Sequence, residues 1–320
     1  MSDVLHELFK DYEGASWLTH IESDPSPEAR KRIPELIEEL ADYPMAPGNE
    51  LDFLDDSTPA GITREDIDAP HGLHLYHYEP QNKNPAADGR IIYYIHGGGF
   101  MRGNEYWCRF NAIHQVQNLG LPVYACEYRY TPEHKYPKGL DDVEWGWNYL
   151  VNDLGLDPKK IIVTGESAGG TYEFALMLRL KRQGRELPAA GCACISGFLD
   201  FAAESPSYTL NNGIDPLFSI DFGETIKYYL DDLSLAHDPE VSPKYGDFTG
   251  FPPTIFLADD TEVFVSDALI GADKLHKLGI RTEAYITHGL THVYGFEMPE
   301  LPESDTFYRR IREFFGLSNR

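Results

Sequence analysis

Six short apolar runs, rich in β-branched and aromatic residues, recur along the chain at 91–95 (IIYYI), 121–126 (LPVYAC), 161–164 (IIVT), 191–195 (GCACI), 254–258 (TIFLA) and 282–287 (TEAYIT). Helical stretches such as 141–150 and 168–180 lie between most of them. Continuous apolar strands alternating with helices predict a parallel sheet covered on both faces, because a strand with a wet face would alternate polar and apolar residues instead. The fold class is α/β. A further strand starts after Gly72, where Leu73, Leu75 and His77 alternate with His74, Tyr76 and Tyr78.

The whole chain of 320 residues reads as one domain with a cap. Residues 1–70 carry helical spacing, as in Ile33, Leu36, Ile37 and Leu40 after Pro27, with Pro34 as a break or restart and no strand signal. Between Asp200 and Asp247 the strand–helix alternation pauses, with one helix expected over 220–230. Long insertions in compact domains are usually functional. Residues 1–60 and 201–247 are therefore assigned to a cap over the active site, with Trp17, Phe201, Phe218 and Phe222 as candidate aromatic lining.

Against 52 acidic residues stand 27 basic ones, a net charge of −25, so the surface repels phosphate backbones and anionic membranes. Nucleic acid is excluded as a partner. No apolar run reaches the roughly 18 residues of a membrane span, and the first ten residues lack the basic start and apolar stretch of a signal peptide, so a cytoplasmic protein is expected. Cys108, Cys126, Cys192 and Cys194 are too sparse for a disulfide framework, and no His or Cys stands near Cys192 and Cys194 to complete a metal site. Neither metal nor cofactor is expected.

Gly165-Glu-Ser-Ala-Gly169 follows one predicted strand and precedes a helix. That is the setting of a nucleophile elbow, in which small residues let strand and helix meet at a strained turn that exposes the Ser167 hydroxyl. A Gly-x-Ser-x-Gly string arises by chance roughly 0.1 times in a chain of this composition, so it is only suggestive alone. His96-Gly-Gly-Gly-Phe100 has a chance expectation of about 0.008, and it follows the strand at 91–95. Acyl transfer passes through a tetrahedral oxyanion, which a glycine run can meet with bare backbone N–H groups. Gly97, Gly98 and Ala168 are the expected oxyanion hole. His96 is expected to hold this loop and Glu166 to support the loops beside it.

These motifs, with Tyr128-Arg-Tyr-Thr-Pro-Glu-His134, Asp157-Pro-Lys-Lys-Ile161, Asp215-Pro-Leu217 and Ser242-Pro-Lys-Tyr-Gly-Asp247, resemble the hormone-sensitive-lipase-like (bacterial family IV) carboxylesterases. The resemblance implies the α/β-hydrolase fold, hydrolysis of small short-acyl esters, and a homodimer as a candidate assembly. In α/β-hydrolases the triad runs in chain order Ser, acid, His. Among His237, His276, His288 and His292, the last lies in Gly289-Leu-Thr-His292, which is similar to the family's Gly-x-x-His-Gly-Phe. Val293 stands where the family has Gly. Asp259, Asp260 and Glu262 compete as the acid, and the resemblance places the catalytic position on Glu262, while Asp200 is expected to be structural. A sugar- or drug-type deacetylase or amidase would use the same triad, and a non-catalytic receptor on this fold would lose the His.

Overall fold

Strand β6, Ile161–Glu166, is buried along its whole length and lies at the centre of one mixed sheet. The computed structural model describes residues 3–41, 58–103, 105–218 and 222–318. Among these, nine strands run in the order β1-β9-β8-β7-β6-β4-β5-β3-β2. They are β1 Leu18–His20, β2 Ile62–Ala69, β3 Leu73–Pro80, β4 Ile91–Ile95, β5 Val123–Glu127, β6, β7 Gly191–Ile195, β8 Thr254–Asp259 and β9 Thr282–Thr287. The pairs β2–β3 and β3–β5 are antiparallel and the rest parallel.

The apolar runs are continuous because each strand feeds two cores. Side chains alternate across a strand, so Tyr93, Ile95, Val163 and Cys192 enter one core while Ile92, Tyr94, Ile162 and Ala193 enter the other. The helices are α1 Asp3–Phe9, α2 Pro27–Ala41, α3 Glu105–Leu119, α4 Lys138–Asn148, α5 Ala168–Arg182, α6 Ser207–Leu210, α7 Phe222–Tyr229, α8 Val265–Lys277, α9 Tyr294–Glu297 and α10 Pro302–Phe315; α4, α5 and α8 cover the first face, and α3 and α10 the second. All four cysteines are buried, and none forms a disulfide among the described residues.

Two expectations for the N-terminal part are corrected. First, residues 1–70 do contain strands: Leu18–His20 pairs parallel along β9, and Ile62–Ala69 forms the opposite edge. The segment assigned to the cap thus also contributes an edge of the sheet. Second, the helix Pro27–Ala41 runs through Pro34 without a break, even though proline removes one backbone donor. Residues 42–57 of the expected cap, and the Phe222 side chain, lie outside the described residues. The helix expected over 220–230 is found at Phe222–Tyr229. No helix of the described residues is long and apolar enough to cross a membrane.

One core group works against stability. Glu173, on α5, is fully buried; its polar neighbours are Cys192 and Gly165, and neither carboxyl oxygen meets a donor in hydrogen-bonding geometry among the described residues. Burial raises its pKa well above the ordinary carboxylate value. A folded-state pKa above the unfolded one favours the fold at low pH, and this advantage is lost as pH rises past the unfolded value, at about 1.4 kcal/mol per unit. Glu173→Met is therefore expected to raise Tm at pH 8 and to leave it nearly unchanged at pH 4. Equal shifts at both pH values in calorimetry would contradict a buried, protonated Glu173.

Candidate active site

The carboxyl ends of β4, β6, β7, β8 and β9 open onto one edge of the sheet, the edge at which open α/β sheets place their ligands. His96 to Gly99 follow β4, Ser167 follows β6, Ser196 follows β7, Glu262 lies beyond β8, and His292 beyond β9.

Ser167 sits at φ 52° and ψ −120° between β6 and α5, a backbone conformation that L residues rarely adopt. Its N–H donates to Ile195 O at 2.8 Å, and its carbonyl accepts from Gly170 N at 3.0 Å. The turn is held closed by close contact: a Cβ on Gly169 would lie 2.0 Å from Ile95 O, so only glycine lets α5 approach β4 here. The Ser167 side chain remains partly exposed.

The glycine loop after β4 lies against this turn, for a Cβ on Gly97 would come 3.0 Å from Ser167 Cβ. Gly98 adopts φ +97°, with its carbonyl accepting from Met101 N and Arg102 N. The expectation for Gly97 needs correction. Its N–H donates to Glu166 Oε1 at 3.1 Å and is spent inside the protein. Glu166 is buried against α3, where Asn111 Nδ2 donates to both its oxygens at 2.9 Å. Burial pushes this carboxyl up to about 8, while the Gly97 N–H pulls it down. By contrast the N–H groups of Gly98 and Gly99 have no hydrogen-bond partner among the described residues, and Ala168 N–H begins α5, where a helix has no internal acceptor to offer. His96 stacks on Tyr128 with centroids 4.3 Å apart and its Nδ1 lies 2.8 Å from Gly97 O, so it braces the loop.

His292 is 3% exposed and its Nδ1 lies 2.7 Å from Glu262 Oε2. Its Nε2 is buried with no hydrogen-bond partner among the described residues. Burial lowers the imidazole to about 4, with the nearby carboxylates of Asp215 and Glu297 opposing the shift. Glu262 is fully buried. Its Oε1 accepts from Asp259 N at 2.7 Å and from Ser196 Oγ at 2.8 Å. Burial raises this carboxyl, and those two donors favour its ionised form.

The three competing carboxylates are separated by their partners. Asp260 lies between His288 Nδ1 and His20 Nε2, each 2.9 Å from its Oδ2. Asp259 accepts from Thr261 Oγ1, Thr287 Oγ1 and Leu290 N, which fixes the start of the His292 loop. Only Glu262 among them is hydrogen-bonded to His292. Asp200 accepts from Ser205 N, Ser205 Oγ and Lys244 Nζ.

Ser196 joins the site without belonging to any of the sequence motifs. At φ 47° its hydroxyl donates to Glu262 and accepts from Val293 N at 3.1 Å, tying the acid to the loop that carries His292. A lone Ser after a buried strand gives no signal of this in sequence.

Residues 92–296 match the α/β-hydrolase fold family, and an esterase of Acinetobacter venetianus is 30% identical over 233 residues, 72% of this chain and 76% of that one. The chain belongs to the α/β-hydrolase family. Another relative of this hydrolase, an acetyl-hydrolase of Streptomyces hygroscopicus, is 30% identical over 72% of this chain and 75% of its own. The crystal structure of an esterase from the bacterial hormone-sensitive lipase family superposes with a TM-score of 0.78 at 26% identity, covering 92% of this chain and 98% of that one. Within the α/β-hydrolases, this chain is a carboxylic ester hydrolase of the hormone-sensitive-lipase-like kind.

Proposed function

We propose that the chain hydrolyses small, short-acyl carboxylic esters with Ser167 as nucleophile, His292 as general base and acid, and Glu262 as the orienting carboxylate. The observation that carries this assignment is the buried His292–Glu262 hydrogen bond of 2.7 Å. That bond supports a neutral imidazole with its proton on Nδ1 and a basic lone pair on Nε2. Ser167 Oγ attacks the ester carbonyl as Nε2 takes its proton, and the carbonyl oxygen becomes an oxyanion. Donors for that oxyanion are the N–H groups of Gly98, Gly99 and Ala168, each worth ~3 kcal/mol of barrier. Collapse expels the alcohol, which receives the proton from the imidazolium. Water then attacks the acyl-Ser167, giving a proton to Nε2, and collapse breaks the acyl–Oγ bond as the imidazolium returns that proton to Ser167 Oγ and the acid leaves.

The short-acyl reading rests on the aromatic filling around the nucleophile. Phe198 N lies 3.3 Å from Ser167 O, and the Phe198 ring packs on Phe201 and Phe264 with centroids 4.4 and 5.1 Å apart. Phe218 stands edge-on to His292 at 4.8 Å. The acetyl-hydrolase relative and an ethyl acetate hydrolase of Pseudomonas putida, 27% identical, point the same way.

A buried imidazole lowered to about 4 is already neutral at neutral pH. The rate is lost only when Nε2 is protonated, so kcat/KM for acetyl to hexanoyl p-nitrophenyl esters should stay level as pH falls through the ordinary imidazole range and drop below it. Dodecanoyl esters should be poor throughout. An acid limb at or above the ordinary imidazole pKa, or a preference for dodecanoyl, would count against this reading.

A further inference from the structure

Both polar groups of the peptide that joins Glu262 to Val263 are bonded by the 201–247 insertion, and the Glu262 carbonyl accepts in addition from Val265 N at 3.3 Å. Asn211 Nδ2 donates to the Glu262 carbonyl at 2.8 Å and to the Asp260 carbonyl at 2.8 Å. Val263 N–H donates to Asp215 Oδ2 at 2.9 Å. The other oxygen of Asp215 accepts from Leu217 N at 2.9 Å and Phe218 N at 3.0 Å. Asn211 and Asp215 are 1% and 6% exposed, so water does not compete for these bonds. Ser207, earlier in the same insertion, adds an Oγ bond to Val263 O at 2.6 Å.

We propose that Asn211 and Asp215 are positioning residues, a clamp through which the insertion sets the place of Glu262 and hence the orientation of His292. The proposal rests on Glu262 being the acid of the triad. A glutamate has one more torsion than an aspartate between backbone and carboxylate, so its carboxylate is less tightly tied to the chain. Here two donors hold Oε1, and the clamp holds the peptide from which the side chain springs. The clamp also reaches the base by a second route, because Asp215 fixes the backbone of Phe218, whose ring lies against His292. Acyl or alcohol groups that press on Phe218 therefore press on the segment that places the acid. The geometry of the triad and the seating of the insertion are one mechanical unit.

The test uses the full chain with Asp215→Asn and Asn211→Ala, each alone and combined with Glu262→Gln, assayed on p-nitrophenyl butyrate. Asp215→Asn keeps size and one acceptor oxygen but turns an NH₂ toward Val263 N–H. Asn211→Ala removes two donor bonds and nothing charged, so it carries the test if the first variant fails to fold, as judged by melting. Misplacement of the acid should lower kcat by about 10- to 100-fold and change KM by less than about twofold. In the Glu262→Gln background the further loss should be under about twofold, since a residue acting through the acid has nothing left to position. The downfield proton resonance of His292 Nδ1–H should shift or broaden in both single variants. Unchanged kcat in a folded variant, or the same fold-loss with and without Glu262, would overturn the clamp. If Glu262→Gln by itself costs little, the acid assignment fails instead.

Discussion

Replacing Ser167 by alanine is expected to lower kcat for p-nitrophenyl acetate by about a millionfold while leaving KM nearly unchanged. The hydroxyl is the only part of the side chain removed, and the position keeps its unusual φ of 52°, so elbow and oxyanion loop should survive the change. What disappears is the covalent step. The remaining rate, about 10³- to 10⁴-fold above water, should come from the N–H donors and from binding alone. Steady-state kinetics with melting curves on the same sample check this. Retention of more than about 1% of kcat would exceed what that residual catalysis supplies and would remove Ser167 from the mechanism.

Glu262→Gln should cost about 10⁴-fold in kcat. Glutamine preserves length and shape, yet an amide nitrogen facing His292 Nδ1 would drive the imidazole proton to Nε2, where it blocks proton uptake from Ser167. Asp260→Asn and Asp259→Asn should each cost less than about tenfold in kcat. Their effects should fall on stability, because Asp260 joins β1 to the His288 loop and Asp259 ties Leu290 and Thr287 to the end of β8. The three variants assayed side by side assign the acid by function. A large loss at Asp260 or Asp259 with little at Glu262 would reverse the assignment.

The core of the fold was legible in sequence for a physical reason. Strands β4, β6, β7 and β8 are buried on both faces, so each reads as a short, mostly apolar run with no polar alternation. The edges were not legible. Three residues at Leu18–His20 hold no period, and their pairing to β9 bridges most of the chain's length. Ile62–Ala69 is a charged strand, ITREDIDA, in which polarity protects an exposed edge and hides the alternation.

In the site, Ser167 and the glycine loop were readable because chemistry demands those residue types at those places. The Gly97 N–H is not readable in this way, because its acceptor depends on which face of β6 the Glu166 side chain takes, and on Asn111 from α3 meeting it there. Likewise nothing in a linear reading joins Asp260 to His20, which lie 240 positions apart. Ser196, Asn211 and Asp215 act through hydrogen bonds whose partners are set by tertiary structure.

The central claim is that Ser167 forms the covalent acyl bond with its proton taken by His292. Treating the full chain with a fluorophosphonate and mapping the modified peptide by mass spectrometry tests it most directly. The account predicts one phosphonyl group, on the peptide that contains Ser167, with labelling absent in Ser167→Ala and greatly slowed in Glu262→Gln. A label on any other residue, or an unlabelled chain that still hydrolyses p-nitrophenyl acetate, would contradict it.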